Sequence, residues 1–105
     1  MYTRQVTTRL KRNAAAELEH VVESVVLPLL RRHRGFRDLI MLVAPERLEA
    51  VCLSFWDTEA DAEAYNRTAY TEELQALKYV AEKNPRVETY TVANSTLHRT
   101  AVSLA

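Results

Sequence analysis

A chain of 105 residues, 48% of them hydrophobic, has the length of one domain and enough apolar material to build a core, which excludes wholesale disorder. Fourteen Lys and Arg balance fourteen Asp and Glu, for a formal net charge of zero, so the basic footprint of a nucleic-acid-binding surface is missing. Cys52 is the only cysteine; it excludes an intrachain disulfide and a zinc site built on several thiolates and makes a reducing compartment the expectation, while residues 1–13, MYTRQVTTRLKRN, carry no apolar run of signal-peptide length and no segment approaches a membrane span, so a cytoplasmic setting is expected.

Residues 2–10 are rich in Thr, Val and Tyr and read as a first strand, with Asn13 placed to cap the helix that follows. That helix carries Leu18, Val22, Val25 and Leu29 on one stripe, joined by Val21, Val26 and Leu30. Pro28 removes one backbone hydrogen bond and predicts a kink. The cations Arg31, Arg32 and Arg34, with His33 among them, suit a helix C-terminus, and Gly35, the only glycine, is expected at the C′ position just beyond it.

Residues 36–43 and 48–56 are two strand-like segments around the turn Ala44-Pro45-Glu46-Arg47, most simply paired as a hairpin. Thr58 and Asp61 have capping-box spacing, so a second helix starts there. It is expected to break near Asn66-Arg67-Thr68 and resume with Tyr70, Leu74, Leu77 and Ala81 on its buried stripe, until Asn84-Pro85 ends it and residues 86–94 form the last strand. The order βαββαβ, without internal repeats, predicts a ferredoxin-like α+β plait over a single domain, residues 1–105: a four-stranded antiparallel sheet with both helices on one face, a core spanning residues 2–94 and a C-terminal tail at 95–105.

In such a plait one sheet face is left without helices, and its strands should alternate apolar with polar. They do not: residues 39–43 read LIMLV, and Val51, Leu53 and Phe55 on one side of the next strand are matched by Cys52, Ser54 and Trp56 on the other. Apolar surface left wet costs about 25 cal/mol per Å², and a second copy of the same sheet is the simplest cover, giving a homodimeric α+β barrel. The side bearing Cys52, Ser54 and Trp56 then faces the helices, where the indole either fills the core or stands at the mouth of a cavity.

Taken together, Gly35-Phe36 after a long first helix, the strand ending Phe55-Trp56-Asp57-Thr58, the acidic helix with Ala64-Tyr65 and the break at Thr68-Ala69-Tyr70 resemble the antibiotic-biosynthesis monooxygenase family of dimeric α+β barrel proteins, over about residues 2–94. The resemblance implies oxidation of an aromatic or quinol-type substrate by dioxygen with no metal or flavin cofactor, the strand-end Trp56 lining the pocket. Two polar pocket positions differ: Cys52 stands where that subgroup has an asparagine and Ala62 where it has a tyrosine, with Tyr65 one turn later. Haem-degrading relatives need an asparagine, a tryptophan and a histidine where this chain has Thr7 or Thr8, Tyr65 and Gln75, which argues against haem.

Other constellations reduce to structure. Glu17 and His20 have the spacing of a di-iron ligand pair but no second copy, so a solvated face is expected. Cys52 lies mid-strand among apolar neighbours, as inert filler does, and His33 answers to the helix terminus. His98, in the tail, has no evident partner and is expected at the surface, the tail serving as an edge strand or dimer arm. The plait also serves RNA recognition, but residues 50–56, AVCLSFW, lack the basic and aromatic pattern that needs. Tyr70 shares the core stripe, whereas Tyr65 near Trp56 is placed to orient a phenolic ligand.

Two readings follow. The first is a cofactor-independent monooxygenase for a small aromatic substrate, its pocket formed from Trp56, Tyr65, Ser54, Cys52 and Tyr70, with no catalytic base identified. The second is a non-catalytic dimer of the same fold that binds a small hydrophobic ligand or assists a pathway. Neither involves nucleic acid or membrane.

Overall fold

The computed structural model describes residues 1–98. Strand β1 runs Tyr2–Arg9, and Leu10 extends it as a single bridge to Ala81. Asn13 does not cap the next helix. It adopts φ 62, and Ala14 takes the N-cap position without a side-chain hydrogen bond; asparagine tolerates the left-handed region, so here it turns the chain.

The first helical run has three pieces: α1 (Ala15–Val21), a π turn (Val22–Val26) and α2 (Leu27–Arg31). Pro28 explains the change of pitch. Its ring collides with the carbonyl four residues back, that of Ser24, and the widened turn absorbs a misfit that was expected as a kink. Arg32 is the C-cap of α2, so Gly35 stands beyond the C′ position, in the turn that enters the next strand. At φ +82 it occupies backbone space few other residues accept, and its carbonyl accepts the Asp57 N–H at 2.8 Å. A Cβ on Gly35 would lie 2.1 Å from Asp61 Oδ2 and 2.7 Å from Asp61 Cβ. Gly35→Ala is therefore expected to cost about 1–3 kcal/mol, read as a fall in the urea midpoint; a change within about 0.5 kcal/mol contradicts this.

Strands β2 (Phe36–Ala44) and β3 (Glu49–Trp56) pair as the expected hairpin around a 3₁₀ turn at Pro45–Arg47, closed by Leu48 at φ 52. Thr58 caps α3 (Glu59–Thr68), its hydroxyl accepting the Asp61 N–H at 3.1 Å. The chain breaks at Ala69, resumes as α4 (Tyr70–Leu77) and ends its regular structure in β4 (Arg86–Thr91). The sheet order is β2-β3-β1-β4, every pair antiparallel. This is the α+β ferredoxin-like plait that the sequence predicts.

The phase of α4 differs from expectation. Its inward positions are Glu73 and Leu77, preceded by Ala69 and followed by Val80, while Tyr70 and Leu74 are only half-buried. A new helix after the break need not keep the earlier phase, and this one turns a carboxylate inward because partners await it, as described below.

Ala50 and Trp56 on the helix side of the sheet share one core with Leu18, Val22, Val26, Leu30, Ala62 and Tyr65, and Val6 beside them is buried too. The opposite side carries Ile40, Val51, Leu53 and Phe55, half-buried, with Leu42 51% and Tyr90 48% exposed. Part of the tail lies against this side. The His98 ring sits 4.7 Å from that of Phe55 and its Nε2 bonds to Asp38 Oδ2. His98 thus has partners, contrary to expectation: an aromatic face and a carboxylate across the sheet draw it in. No strand forms between residues 92 and 98; the tail's edge-strand or dimer-arm role beyond them, at residues 99–105, lies outside the described residues.

Candidate functional site

Residues of β1 and β3 meet in register beneath the helices. Arg4 stands opposite Ser54 and Tyr2 opposite Trp56, and alternation turns all four toward α3 and α4. Trp56 is fully buried between Phe36 and Tyr65, with ring centroids 5.6 and 5.4 Å away, and its Nε1–H donates to Ser54 Oγ at 2.9 Å. Both the π surface and the polar tip of the indole are satisfied inside the fold.

Around this aromatic group lies a polar cluster. Among the described residues Arg4 is the one buried base and Glu73 the one buried acid. The Tyr65 O–H donates to Glu73 Oε1 at 2.6 Å. The Arg4 guanidinium lies 5.3 Å from the centre of the Tyr65 ring and 4.8 Å from that of Tyr70, and its Nη2–H donates to Asn66 Oδ1 at 2.9 Å. The Tyr70 hydroxyl is buried with no hydrogen-bond partner among the described residues. A void of about 10 Å³, the size of one water, separates Arg4, Cys52, Ser54 and Glu73 from Leu30 and Leu39.

Burial dominates the titration of these groups. It raises the Glu73 carboxyl above its ordinary value, against the Tyr65 hydrogen bond and the Arg4 charge, which lower it. Burial and the nearby Glu73 charge push Tyr70 up to about 12 and raise Tyr65 as well. Cys52 is pushed up to about 12 by burial, with Glu73 adding to the effect. It is a poor nucleophile at neutral pH, as filler would be.

All five pocket candidates named from the sequence, Trp56, Tyr65, Ser54, Cys52 and Tyr70, lie in or beside this cluster. The Tyr65 hydroxyl is committed to Glu73. His33 packs edge-on against Tyr65, centroids 5.0 Å apart, while its Nδ1 lies 2.9 Å from the Leu29 carbonyl at the end of α2. Glu17 and His20 are exposed, and among the described residues no three His, Cys, Asp or Glu side chains gather as a metal site would require. Sequence reasoning missed Arg4, Glu73 and Asn66. For Arg4 a signal existed: it shares a strand phase with Val6 and Thr8, so a charge was pointing inward.

A family model described as antibiotic biosynthesis monooxygenase matches residues 1–77. The chain belongs to that family. Among solved structures of similar fold is a monooxygenase from the gene ActVA-Orf6 of Streptomyces coelicolor in complex with nanaomycin D, at TM-score 0.75 and 16% identity, covering 93% of this chain and 92% of that one. SnoaB, a cofactor-independent oxygenase from Streptomyces nogalater, aligns at TM-score 0.74 and 15% identity over 92% of this chain and 97% of its own. A Nitrosomonas europaea protein of unknown function gives TM-score 0.74 and 18% identity, with 93% and 94% covered. No curated protein matches. No helix among the described residues is long and apolar enough to cross a membrane.

Proposed function

We propose that this member of the family is a cofactor-independent monooxygenase acting on a small aromatic or quinol-type substrate, and that it works as a homodimer paired through the helix-free side of its sheet. The observation that carries the reading is the placement of the one buried acid and the one buried base described, Glu73 and Arg4, against Tyr65 and Trp56. A fold gains little stability by burying two charged groups that lack a direct ion pair, whereas a site that moves a proton and holds an anion needs both. The apolar row Ile40, Leu42, Val51, Leu53 and Phe55 supports the pairing.

In chemical terms an activated ring methylene or phenolic C–H gives up its proton, and the carbanion passes electrons to dioxygen. One oxygen enters the ring as a new carbonyl, and the other leaves as water with two hydrogens of the substrate: both of those on a methylene carbon, or the ring C–H and the phenol O–H of a phenol. The substrate supplies every electron. Glu73, raised toward working pH and joined to Tyr65, is the proton acceptor in this reading, and Arg4 faces the developing negative charge.

Oxygen uptake with a panel of anthrones and hydroquinones tests the reading. Turnover by the wild type that falls at least about tenfold in Trp56→Phe, with the fold retained, is expected. Ligand-dependent quenching of the single tryptophan without any oxygen uptake would support the non-catalytic binding reading instead.

A further inference from the structure

Strand β4 is an edge strand, and α3 does not reach far enough to cover it. The gap between them is a cleft of about 270 Å³ lined by Tyr2, Arg4, Val87, Thr89 and, from α3, Ala62, Glu63 and Asn66. The register places Thr89 opposite Arg4 and Val87 opposite Val6, all on the helix side. Arg4 therefore belongs to two environments at once. One edge of it meets the buried void shared with Glu73, and the other meets an open cleft.

A guanidinium carries five N–H donors. Arg4 as a residue is 2% exposed, yet among the described residues its side chain makes one hydrogen bond, to Asn66, and no ion pair within 4.0 Å. Tyr65 and Tyr70 lie against it, and neither ring accepts an in-plane hydrogen bond. Glu73 across the void answers part of the Arg4 charge without bonding to it, and a buried cation with so few hydrogen bonds is costly unless an anion completes it. The cleft limits which anion fits. Tyr2, Ala62 and Val87 offer apolar contact, the space between a strand and a helix suits something flat, and the volume admits one or two fused rings. Glu63 at the wall repels a second negative charge.

We propose that this cleft is the substrate site and that Arg4 is its specificity-determining residue, binding the ionised oxygen of a planar phenol or enol that carries a single delocalised negative charge. The proposal rests on the monooxygenase reading for its catalytic meaning but not for its binding chemistry. Ionising the ring oxygen makes the ring carbon electron-rich, and the Arg4 charge stabilises that form before dioxygen arrives.

The test is anaerobic binding, followed by quenching of Trp56 fluorescence, of 2-hydroxy-1,4-naphthoquinone, whose enol is ionised at neutral pH, against its neutral methyl ether. The wild type is expected to prefer the anion by about tenfold or more, the worth of a charge-assisted hydrogen bond. In Arg4→Gln the preference should fall to about twofold or less. Val87→Phe fills the cleft from a half-exposed edge position without disturbing the core, so it decides the matter even if Arg4→Gln fails to fold: it should weaken binding of the anion by about tenfold. Equal affinity for anion and ether in the wild type, a preference that persists without Arg4, or binding untouched by Val87→Phe overturns the proposal. Oxygen uptake is measured separately. A chain that binds the anion through Arg4 but consumes no oxygen overturns the monooxygenase reading and leaves the cleft standing, whereas turnover unaffected by Val87→Phe does the reverse.

Discussion

Trp56→Ala is expected to destabilise the protein by about 3–5 kcal/mol, a large part of the total stability of a domain this size. The indole is fully buried between Phe36 and Tyr65, and it is the hydrogen-bond donor to Ser54. Removing it leaves a cavity at the junction of β3 and α3 and strands the Ser54 hydroxyl. Trp56→Phe keeps one aromatic ring in place and loses the second ring with its N–H, so it should cost less. Thermal unfolding checks both: Tm should fall by more than about 10 °C in the alanine variant and by a clearly smaller amount in the phenylalanine one. A Tm within about 2 °C of wild type for Trp56→Ala would contradict the packing of the indole between Phe36 and Tyr65.

The second large effect concerns pH. Glu73 is raised above the ordinary glutamate value of 4.5, chiefly by burial. Between that value and its folded value the native protein holds a proton that the unfolded chain has released. Stability therefore declines as pH rises through this window and levels off above it. Glu73→Gln has no such proton, and its side-chain amide oxygen can still accept the Tyr65 hydrogen bond. The stability of the variant relative to wild type should then grow with pH from about 4.5 upward and reach a plateau, each unit of native-state shift being worth about 1.4 kcal/mol. Urea midpoints of both proteins between about pH 4 and pH 8 give this difference directly, and titrations common to both cancel. Parallel curves, or a difference that shrinks with rising pH, would show that Glu73 is not held in the raised state. The same variant is expected to lose turnover while keeping ligand affinity, since a side-chain amide cannot take a proton.

The elements that were legible in the sequence are those where one physical signal outweighs the rest. The run at residues 39–43 and the turn at Pro45 make a hairpin whatever surrounds them, and Thr58 caps α3 through its own hydroxyl. The two-sided apolar character of β3 correctly placed Cys52, Ser54 and Trp56 toward the helices. What stayed hidden depends on tertiary partners. Apolar periodicity favoured Leu74 for the buried stripe of α4, yet Glu73 lies inside because Tyr65, eight residues earlier on another helix, donates to it and Arg4 lies close enough to offset part of its charge. Arg4 was half legible: its strand phase with Val6 and Thr8 turns a charge inward, but no local pattern shows Tyr65 and Tyr70 against the guanidinium. The π turn follows from Pro28, but only the packing on both sides of it decides between a bend and a change of pitch. His98 is a case of the same kind, paired with residues of β2 and β3 that no local pattern connects to the tail.

Isotope labelling under ¹⁸O₂ tests the central reading most directly. Purified protein, treated with chelator and supplied with an anthrone, should place a single heavy oxygen in the new ring carbonyl and release the other as labelled water, with no added reductant. A product whose new oxygen comes from the solvent, or a reaction that needs a metal or flavin to proceed, would contradict it.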